Sequence, residues 1–262
     1  MKEKLTISFL LLLLLCGGCK EDFHRVEKAR REKDAYLRAL FQKKNLPYPP
    51  LKIAILIFKL ERDLEVWAFS PEEGVYKFVK KYHICATSGV LGPKRREGDR
   101  QIPEGVYYID RFNPRSHFYL SLGINYPNKS DLIRGNKKKP GGDIFIHGSC
   151  VTIGCIPITD DKIKEVYWLA LQARRKGQRK IPVFIFPCRL TGANLYFLEA
   201  LAHFPLYWLR YKKYVGRDVH PRSPQELISF WKELKPIYDY IETTGRMPEV
   251  SVGPQGEYFI KK

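Results

Sequence analysis

A histidine and a cysteine lie close together in one short stretch of this chain and have the chemistry of a nucleophilic pair. The stretch reads Ile146-His147-Gly148-Ser149-Cys150-Val151-Thr152-Ile153-Gly154-Cys155. A thiol attacks as its thiolate, so it needs a nearby base to take the proton. We therefore assign Cys155 as the candidate nucleophile and His147 as the candidate base. Gly154 has no Cβ, which would let the backbone N–H groups around Cys155 approach a developing oxyanion.

Regular elements on both sides must hold this stretch in place. Residues 143–146 predict a short strand that leads into it, and Thr159 is predicted to cap the helix that follows, whose apolar residues recur at helical spacing. Within the loop we assign Gly148, Ser149 and Thr152 to substrate binding. The two hydroxyl groups could instead serve only as hydrogen-bonding groups of the loop.

The remaining cysteines could be disulfide partners, metal ligands or packing residues. Four cysteines in a domain of this length are not typical of a disulfide framework. Cys85 and Cys188 lie in strand-like apolar runs, which predicts buried free thiols. Cys150 is predicted to be a small buried packing residue; a disulfide with Cys155, or zinc bound with His147, are the alternatives. No fourth zinc ligand has a recognisable spacing, so neither a metal nor a cofactor is predicted.

The pattern along the chain divides its 262 residues into four parts. Residues 51–122 carry β-type alternation, including a strand predicted at residues 82–88, whereas residues 22–45, 193–204 and 224–244 are helical in pattern. The predicted boundaries are a signal peptide at 1–18, a tether and N-terminal helix at 19–50, a catalytic domain at 51–190 and a helical C-terminal extension at 191–262.

The first residues are typical of an export signal. Lys2 and Lys4 precede an apolar run at residues 7–15, which is too short to span a bilayer but suits a signal-peptide core. Small residues directly before Cys19 resemble a bacterial lipoprotein cleavage box, so Cys19 is the predicted lipidation site. An ordinary signal peptide cut near Gly18, or a retained anchor, is the alternative.

The formal net charge of +18 limits the partners of the chain. Nucleic acid, anionic lipid and an anionic cell-wall polymer would each attract such a protein. The export signal and the lack of a nucleic-acid-binding motif exclude nucleic acid from these predictions. The charge therefore predicts a position close to a negatively charged wall or membrane.

The His-Gly pair followed by Thr-x-Gly-Cys resembles the active-site signature of the L,D-transpeptidase catalytic domain (YkuD) family, and more narrowly its YafK-like branch. The resemblance covers roughly residues 50–190. It implies an α+β fold with a mainly β catalytic domain, here with an N-terminal helix and a helical C-terminal extension. It also implies cysteine chemistry on peptidoglycan stem peptides, with Cys155 as nucleophile, His147 as catalytic histidine and Gly154 in the oxyanion-binding turn.

Two positions depart from the wider family pattern. Ile153 stands where a second histidine is usual, and Pro157 stands where the family has an arginine that can hold a carboxylate or position the loop. Some other basic residue must take over that task, or nothing does. Upstream, residues 102–107 are similar to the family's "T-P-x-G-x-Y" stretch, which predicts that they border the substrate groove, with Tyr107 in the core.

These observations predict an exported cysteine enzyme that forms an acyl-enzyme with a wall peptide. Transfer to an amine would make it a transpeptidase; transfer to water, which the missing arginine favours slightly, would make it a peptidase or amidase. The predicted partners are peptidoglycan, the membrane through a lipid anchor at Cys19, and a wall-attached protein as a possible substrate. The predicted location is the periplasmic side of the outer membrane of a Gram-negative bacterium. The alternative is a non-catalytic wall-binding lipoprotein with the same fold.

Overall fold

A computed structural model describes the backbone of residues 17–261 and the side chains of residues 24–261. The predicted signal peptide lies almost entirely outside these residues, and nothing is described of the Cys19 side chain. None of the helices in the described part of the chain has the length and apolar character needed to span a bilayer.

The described residues form six helices and ten strands, joined by loops. The helices are α1 (Gly17–Lys43), α2 (Lys129–Arg134), α3 (Asp160–Arg175), α4 (Gly192–His203), α5 (Pro205–Val215) and α6 (Pro224–Thr244). The strands are β1 (Ile53–Phe58), β2 (Asp63–Ser70), β3 (Val75–His83), β4 (Gly105–Asn113), β5 (Ser121–Ile124), β6 (Phe145–His147), β7 (Ile156–Pro157), β8 (Ile181–Phe186), β9 (Val250–Val252) and β10 (Tyr258–Ile260).

Eight of the strands form one curled sheet in the order β3-β2-β1-β8-β4-β5-β6-β7. The pairs are antiparallel except for β1 with β8 and β6 with β7. The two edges of the sheet approach each other. The N–H of Cys85, just beyond β3, donates to the carbonyl of Pro157 in β7 at 3.0 Å. This closure protects edge groups that would otherwise be free to pair with another chain.

A disulfide between Cys85 and Cys150 fastens the same closure. The predictions of a free thiol at Cys85 and of a packing role for Cys150 are therefore wrong. The pairing depends on the curl of the sheet, which brings together residues 65 positions apart, and no local pattern signals it. Cys188 is free and buried, as predicted.

The sheet separates two hydrophobic cores. Strand β1 is buried on both faces: Ile53, Ile55 and Ile57 point into the core covered by α1 and α3, whereas Leu56 and Phe58 point into the core covered by α4 and α6. A strand that lies between two cores has no polar side, which explains its continuous apolar sequence.

The α+β fold class is confirmed, and local predictions hold best where the pattern is long. Helix α6 spans the predicted residues 224–244. The strand predicted at residues 82–88 is wrong beyond His83, where β3 ends. Thr159 takes the predicted N-cap position of α3, but it has φ 72° and its side chain makes no capping hydrogen bond.

Candidate active site

At one edge of the sheet, His147 lies on β6 and Cys155 directly precedes the neighbouring strand β7. His147 is the last residue of β6 and is paired with Pro157, while Ile146 is paired with Ile156. Cys155 directly precedes Ile156, so the parallel register places it beside Phe145. Phe145 and His147 share a face of β6, since alternate residues of a strand point to the same side, whereas Cys155 lies just outside β7 with its sulfur against the segment that leads into β6.

The sulfur of Cys155 is surrounded by backbone groups of the neighbouring strand. Its S–H points to the carbonyl of Asp143, with the two heavy atoms 3.6 Å apart. Burial raises the pKa of this thiol, and the backbone N–H of Phe145 and the charge of Lys94 oppose that rise without cancelling it. Cys155 is therefore an uncharged thiol at neutral pH.

The imidazole of His147 is buried and has a defined tautomer. Its Nδ1 lies 2.5 Å from the carbonyl of Gly148, and a carbonyl can only accept, so Nδ1 carries the hydrogen. The ring of Phe118 lies against the imidazole, with centroids 4.6 Å apart. Burial lowers the pKa of His147 below its ordinary 6.5. The neutral ring thus offers Nε2 as a base.

The pair is consequently in its uncharged form, thiol plus imidazole. This differs from a preformed thiolate–imidazolium ion pair, in which the thiol pKa would be depressed. These are the protonation states that general-base catalysis requires, in which the proton leaves the sulfur as the sulfur attacks.

Short hydrogen bonds fix the loop between the two residues. The Thr152 hydroxyl donates to the carbonyl of Cys155 at 2.8 Å and accepts from the N–H of Gly154 at 3.1 Å. The N–H of Ser149 donates to the Asp160 carboxylate at 2.7 Å, which ties the loop to the first turn of α3. The Thr152 hydroxyl is thus engaged within the loop, as the loop alternative predicted; a substrate-binding role for Ser149 and Thr152 stays a prediction.

Two glycines of the loop are held where a larger side chain would not fit. Gly154 has φ +138°, and a Cβ there would lie 3.2 Å from the carbonyl of Gln101. At Gly148 a Cβ would collide with the Asp160 carboxylate and with the carbonyl of Phe118. The loop can therefore follow this path only with glycine at both positions. The Gly154 N–H donates to the Thr152 hydroxyl oxygen in this structure. The predicted oxyanion role of Gly154 would require that hydrogen bond to break.

Sequence reasoning missed a buried polar cluster beside the loop, made of Lys94, Asp99 and Gln101. The Lys94 ammonium lies 2.6 Å from the Asp99 carboxylate, and the same oxygen accepts from the N–H of Gln101 at 3.0 Å. The carbonyl of Gln101 then faces Gly154. Lys94 belongs to the basic run Lys94-Arg95-Arg96, yet it is only 4% exposed.

Lys94 also approaches the cysteine from a second direction. Its side chain packs against Gly141, where a Cβ would lie 3.2 Å from the Lys94 Cε, and Gly141 is two residues from the carbonyl that accepts from Cys155. A buried cation is thus held next to the nucleophile by the loop before β4.

The comparisons with known proteins agree with the fold. Residues 56–185 match the family described as YkuD, L,D-transpeptidase catalytic domain. The Escherichia coli K12 protein named "Putative L,D-transpeptidase YafK" is 36% identical over 212 residues, covering 80% of this chain and 74% of that protein. Its counterpart in Escherichia coli O157:H7 matches equally well. The chain belongs to the YkuD L,D-transpeptidase catalytic domain family.

Two solved structures resemble the chain more distantly. The helical cell shape determining protein Pgp2 from Campylobacter jejuni is 17% identical, with a TM-score of 0.42 over 84% of this chain and 80% of its own. Bdellovibrio bacteriovorus Bd1075 is 20% identical, with a TM-score of 0.38 over 71% of each chain. The family assignment rests on the sequence relatives.

Proposed function

We propose that this protein is an exported cysteine enzyme that acts on peptidoglycan stem peptides through an acyl-enzyme on Cys155. The observation that carries the proposal is the pair at the sheet edge: an uncharged thiol and an imidazole whose free nitrogen is Nε2. Family membership supports wall-peptide chemistry.

The proposed reaction has two steps with balanced proton transfer. As the sulfur of Cys155 attacks the peptide carbonyl, Nε2 of His147 takes the thiol proton. The carbon–nitrogen bond breaks, the leaving amine takes that proton from His147, and a thioester remains. An amine or water then attacks the thioester while His147 accepts its proton, and the returning proton restores the thiol.

The second acceptor decides between transpeptidase and peptidase. Transfer to an amine would form a crosslink or attach a protein, whereas transfer to water would release a wall-linked peptide or protein. Ile153 and Pro157 replace the usual histidine and arginine, and this favours hydrolysis in our proposal. Lys94 is the basic residue available to replace the arginine's charge.

Export is supported by cysteine chemistry as well as by the N-terminal pattern. The Cys85–Cys150 disulfide suits an oxidising compartment such as the periplasm. We propose acylation at Cys19 and attachment to the periplasmic side of the outer membrane. Labelling with a radioactive fatty acid tests this: label present in the wild-type chain and absent from Cys19→Ala is the expected result.

The decisive experiment incubates the purified protein with defined muropeptides and determines the product masses. Water addition across a peptide bond indicates hydrolysis, and a mass increase by a second peptide indicates transfer. Cys155→Ala and His147→Ala should each abolish turnover while unfolding at the wild-type temperature. Cys188→Ala is the matched control and should retain activity. Cys188 is the other free cysteine among the described residues, and it is buried in the core covered by α4 and α6. Turnover by folded Cys155→Ala would reject the mechanism.

A non-catalytic wall-binding role is the second candidate, favoured by the net charge of +18. It predicts salt-sensitive binding to isolated sacculi, unchanged by Cys155→Ala, together with no turnover of any muropeptide. Binding alone does not need a thiol and an imidazole at the two ends of one short loop, so the enzyme is the better-supported proposal.

A further inference from the structure

The corner formed by α4 and α5 exposes an unusual number of large apolar side chains. We call this surface the α4–α5 face and define it by five residues and their exposed fractions: Tyr196 (75%), Phe197 (43%), Phe204 (55%), Leu206 (69%) and Leu209 (64%). Phe204 is the residue that joins the two helices. Single exposed apolar residues are common on proteins, but a cluster of this kind marks an interaction site.

The opposite sides of both helices are already occupied. Leu198 and Ala202 of α4 lie in the core that covers the sheet. On α5, the buried Tyr211 donates through its hydroxyl to the carbonyl of Pro93, and the Tyr207 hydroxyl donates to the carbonyl of Leu91 at 2.6 Å. The helices are therefore fixed to the protein by their inner sides. Their apolar outer sides take no part in this packing. A surface helix normally turns a polar side to solvent, so these two helices depart from the usual pattern.

Basic side chains border the apolar residues. Leu206, Leu209, Arg210 and Lys213 follow helical spacing along the outer side of α5, and all four are exposed. Between residues 192 and 216 the sequence contains one acidic residue, Glu199, and its carboxylate pairs with Lys232 at 2.7 Å. The surface thus combines apolar and aromatic groups with uncompensated positive charge.

We infer that the α4–α5 face docks onto the surface of an anionic phospholipid bilayer. Aromatic and leucine side chains with flanking Lys and Arg are the composition of helices that lie in the interface of a membrane. A second copy of the chain is a poorer occupant, because docking two such faces would bring together two cationic surfaces of proteins that each carry a net charge of +18. An anionic headgroup layer matches both the charge and the apolar side chains.

This contact would act together with any lipid anchor and does not depend on the proposed catalytic role. One acyl chain alone gives weak, reversible membrane binding, and a second apolar or basic contact makes it stable. Docking by a fixed face would also orient the protein on the bilayer, which attachment at a single residue does not.

The test measures partitioning of the full chain, carrying Cys19→Ser so that no acyl group contributes, onto vesicles. The vesicles contain equal parts of phosphatidylglycerol and phosphatidylethanolamine, and phosphatidylcholine vesicles serve as the neutral comparison. Co-sedimentation is measured at low and high salt. Leu206→Ser with Leu209→Ser should weaken binding to the anionic vesicles by about tenfold or more, since two leucine side chains no longer enter the interface.

Matched variants separate the contributions of the two kinds of contact. Leu132→Ser, at a leucine that is 50% exposed on α2, should bind like the parent chain. Arg210→Gln with Lys213→Gln should weaken binding to anionic vesicles by about tenfold and reduce its dependence on salt. Muropeptide turnover in solution should be the same in all these variants, because none of the substituted residues lies at the cysteine site.

Two results would overturn the inference. One is equal partitioning by the parent chain and by Leu206→Ser with Leu209→Ser. The other is a dimer, detected by sedimentation velocity without lipid, that the leucine variant fails to form; the face would then be a contact between copies of the chain.

Discussion

At the scale of single residues, the candidate site keeps both reactive groups uncharged. Burial disfavours the thiolate of Cys155 and the imidazolium of His147 alike, so the pKa of the thiol rises and that of the ring falls. The base form of His147 therefore persists from neutral pH down to below the ordinary imidazole pKa. Reactivity should be limited by the thiol rather than by the histidine.

This protonation state predicts the pH dependence of Cys155 alkylation. With a folded-state pKa above the ordinary 9.0, the rate of modification by iodoacetamide should still be rising at pH 9 and should show no plateau near neutrality. The rate is followed by intact mass, with Cys155→Ala as the control for other thiols. A plateau below pH 7 would instead reveal a preformed ion pair and contradict the structure.

Lys94 should stabilise the thiolate from its buried position. Replacing it by methionine removes the cation, so the pH midpoint of Cys155 alkylation should move upward. Lys94→Arg should keep the midpoint near wild type. Lys138→Met, at an exposed lysine, should leave the midpoint unchanged.

Loss of the lysine also leaves a buried carboxylate without its partner, which destabilises a protein by several kcal/mol in general. The combination of Lys94→Met with Asp99→Asn removes both charges and tests the same effect in a folded chain. An unshifted midpoint in this double variant would show that the cluster only supports the loop.

At the scale of elements, the site is built where two sheet edges meet. Strand β6 supplies the histidine, the cysteine directly precedes β7, and the Cys85–Cys150 disulfide holds the loop between them to the segment after β3. The Ser149 carbonyl lies 3.4 Å from the Cys85 sulfur, so the disulfide directly contacts the loop between His147 and Cys155. Loop position and sheet closure are thus mechanically connected.

Removal of this disulfide should affect stability and turnover together. Cys85 and Cys150 are 65 positions apart, and crosslinking a loop of that length is worth about 4 kcal/mol in the chain-entropy treatment. Cys85→Ala with Cys150→Ala should therefore lower the free energy of unfolding by a few kcal/mol and reduce muropeptide turnover. Urea titration measures the first effect, with Cys188→Ala as the thiol control. Unchanged turnover would show that the loop holds its shape without the bond.

At the scale of the whole molecule, the C-terminal extension is packed onto the catalytic sheet. Leu56, Phe58, Phe184 and Phe186 of the sheet share a core with helices α4 and α6. A buried polar contact joins the same parts: Trp231 of α6 donates from Nε1 to the Glu104 carboxylate at 2.8 Å, and the other oxygen of Glu104 accepts from Lys59 at 2.7 Å. The extension therefore covers a sheet face that would otherwise be exposed apolar surface.

This packing predicts a single cooperative unfolding transition. Trp231→Phe leaves one oxygen of the buried Glu104 without its donor, which should cost about 1–3 kcal/mol. Urea curves followed by far-UV circular dichroism and by fluorescence should shift together. Two separated transitions would show that the extension unfolds on its own. A double-mutant cycle with Glu104→Gln isolates the hydrogen bond from the lost indole volume.

The sequence by itself determined the elements and residue types that depend on neighbours along the chain. The buried strand β1 and helix α6 follow from apolar spacing, and the His147–Cys155 stretch indicated the family because its chemistry is concentrated in one loop. These features were accessible since strand alternation, helical periodicity and a short motif are local properties.

Tertiary structure decided what depends on contacts between distant segments. Only the curl of the sheet brings Cys85 to Cys150, and only the fold of the loop before β4 buries Lys94 beside Asp99 and the cysteine. The exposure of the α4–α5 face could not be predicted from the local sequence either, because an apolar helix is normally expected to be buried on all sides. The local sequence permits several strand and cysteine pairings equally well, and contacts between distant segments select one of them. That selection decides which groups are buried, and therefore both the protonation of the site and the surface that stays exposed.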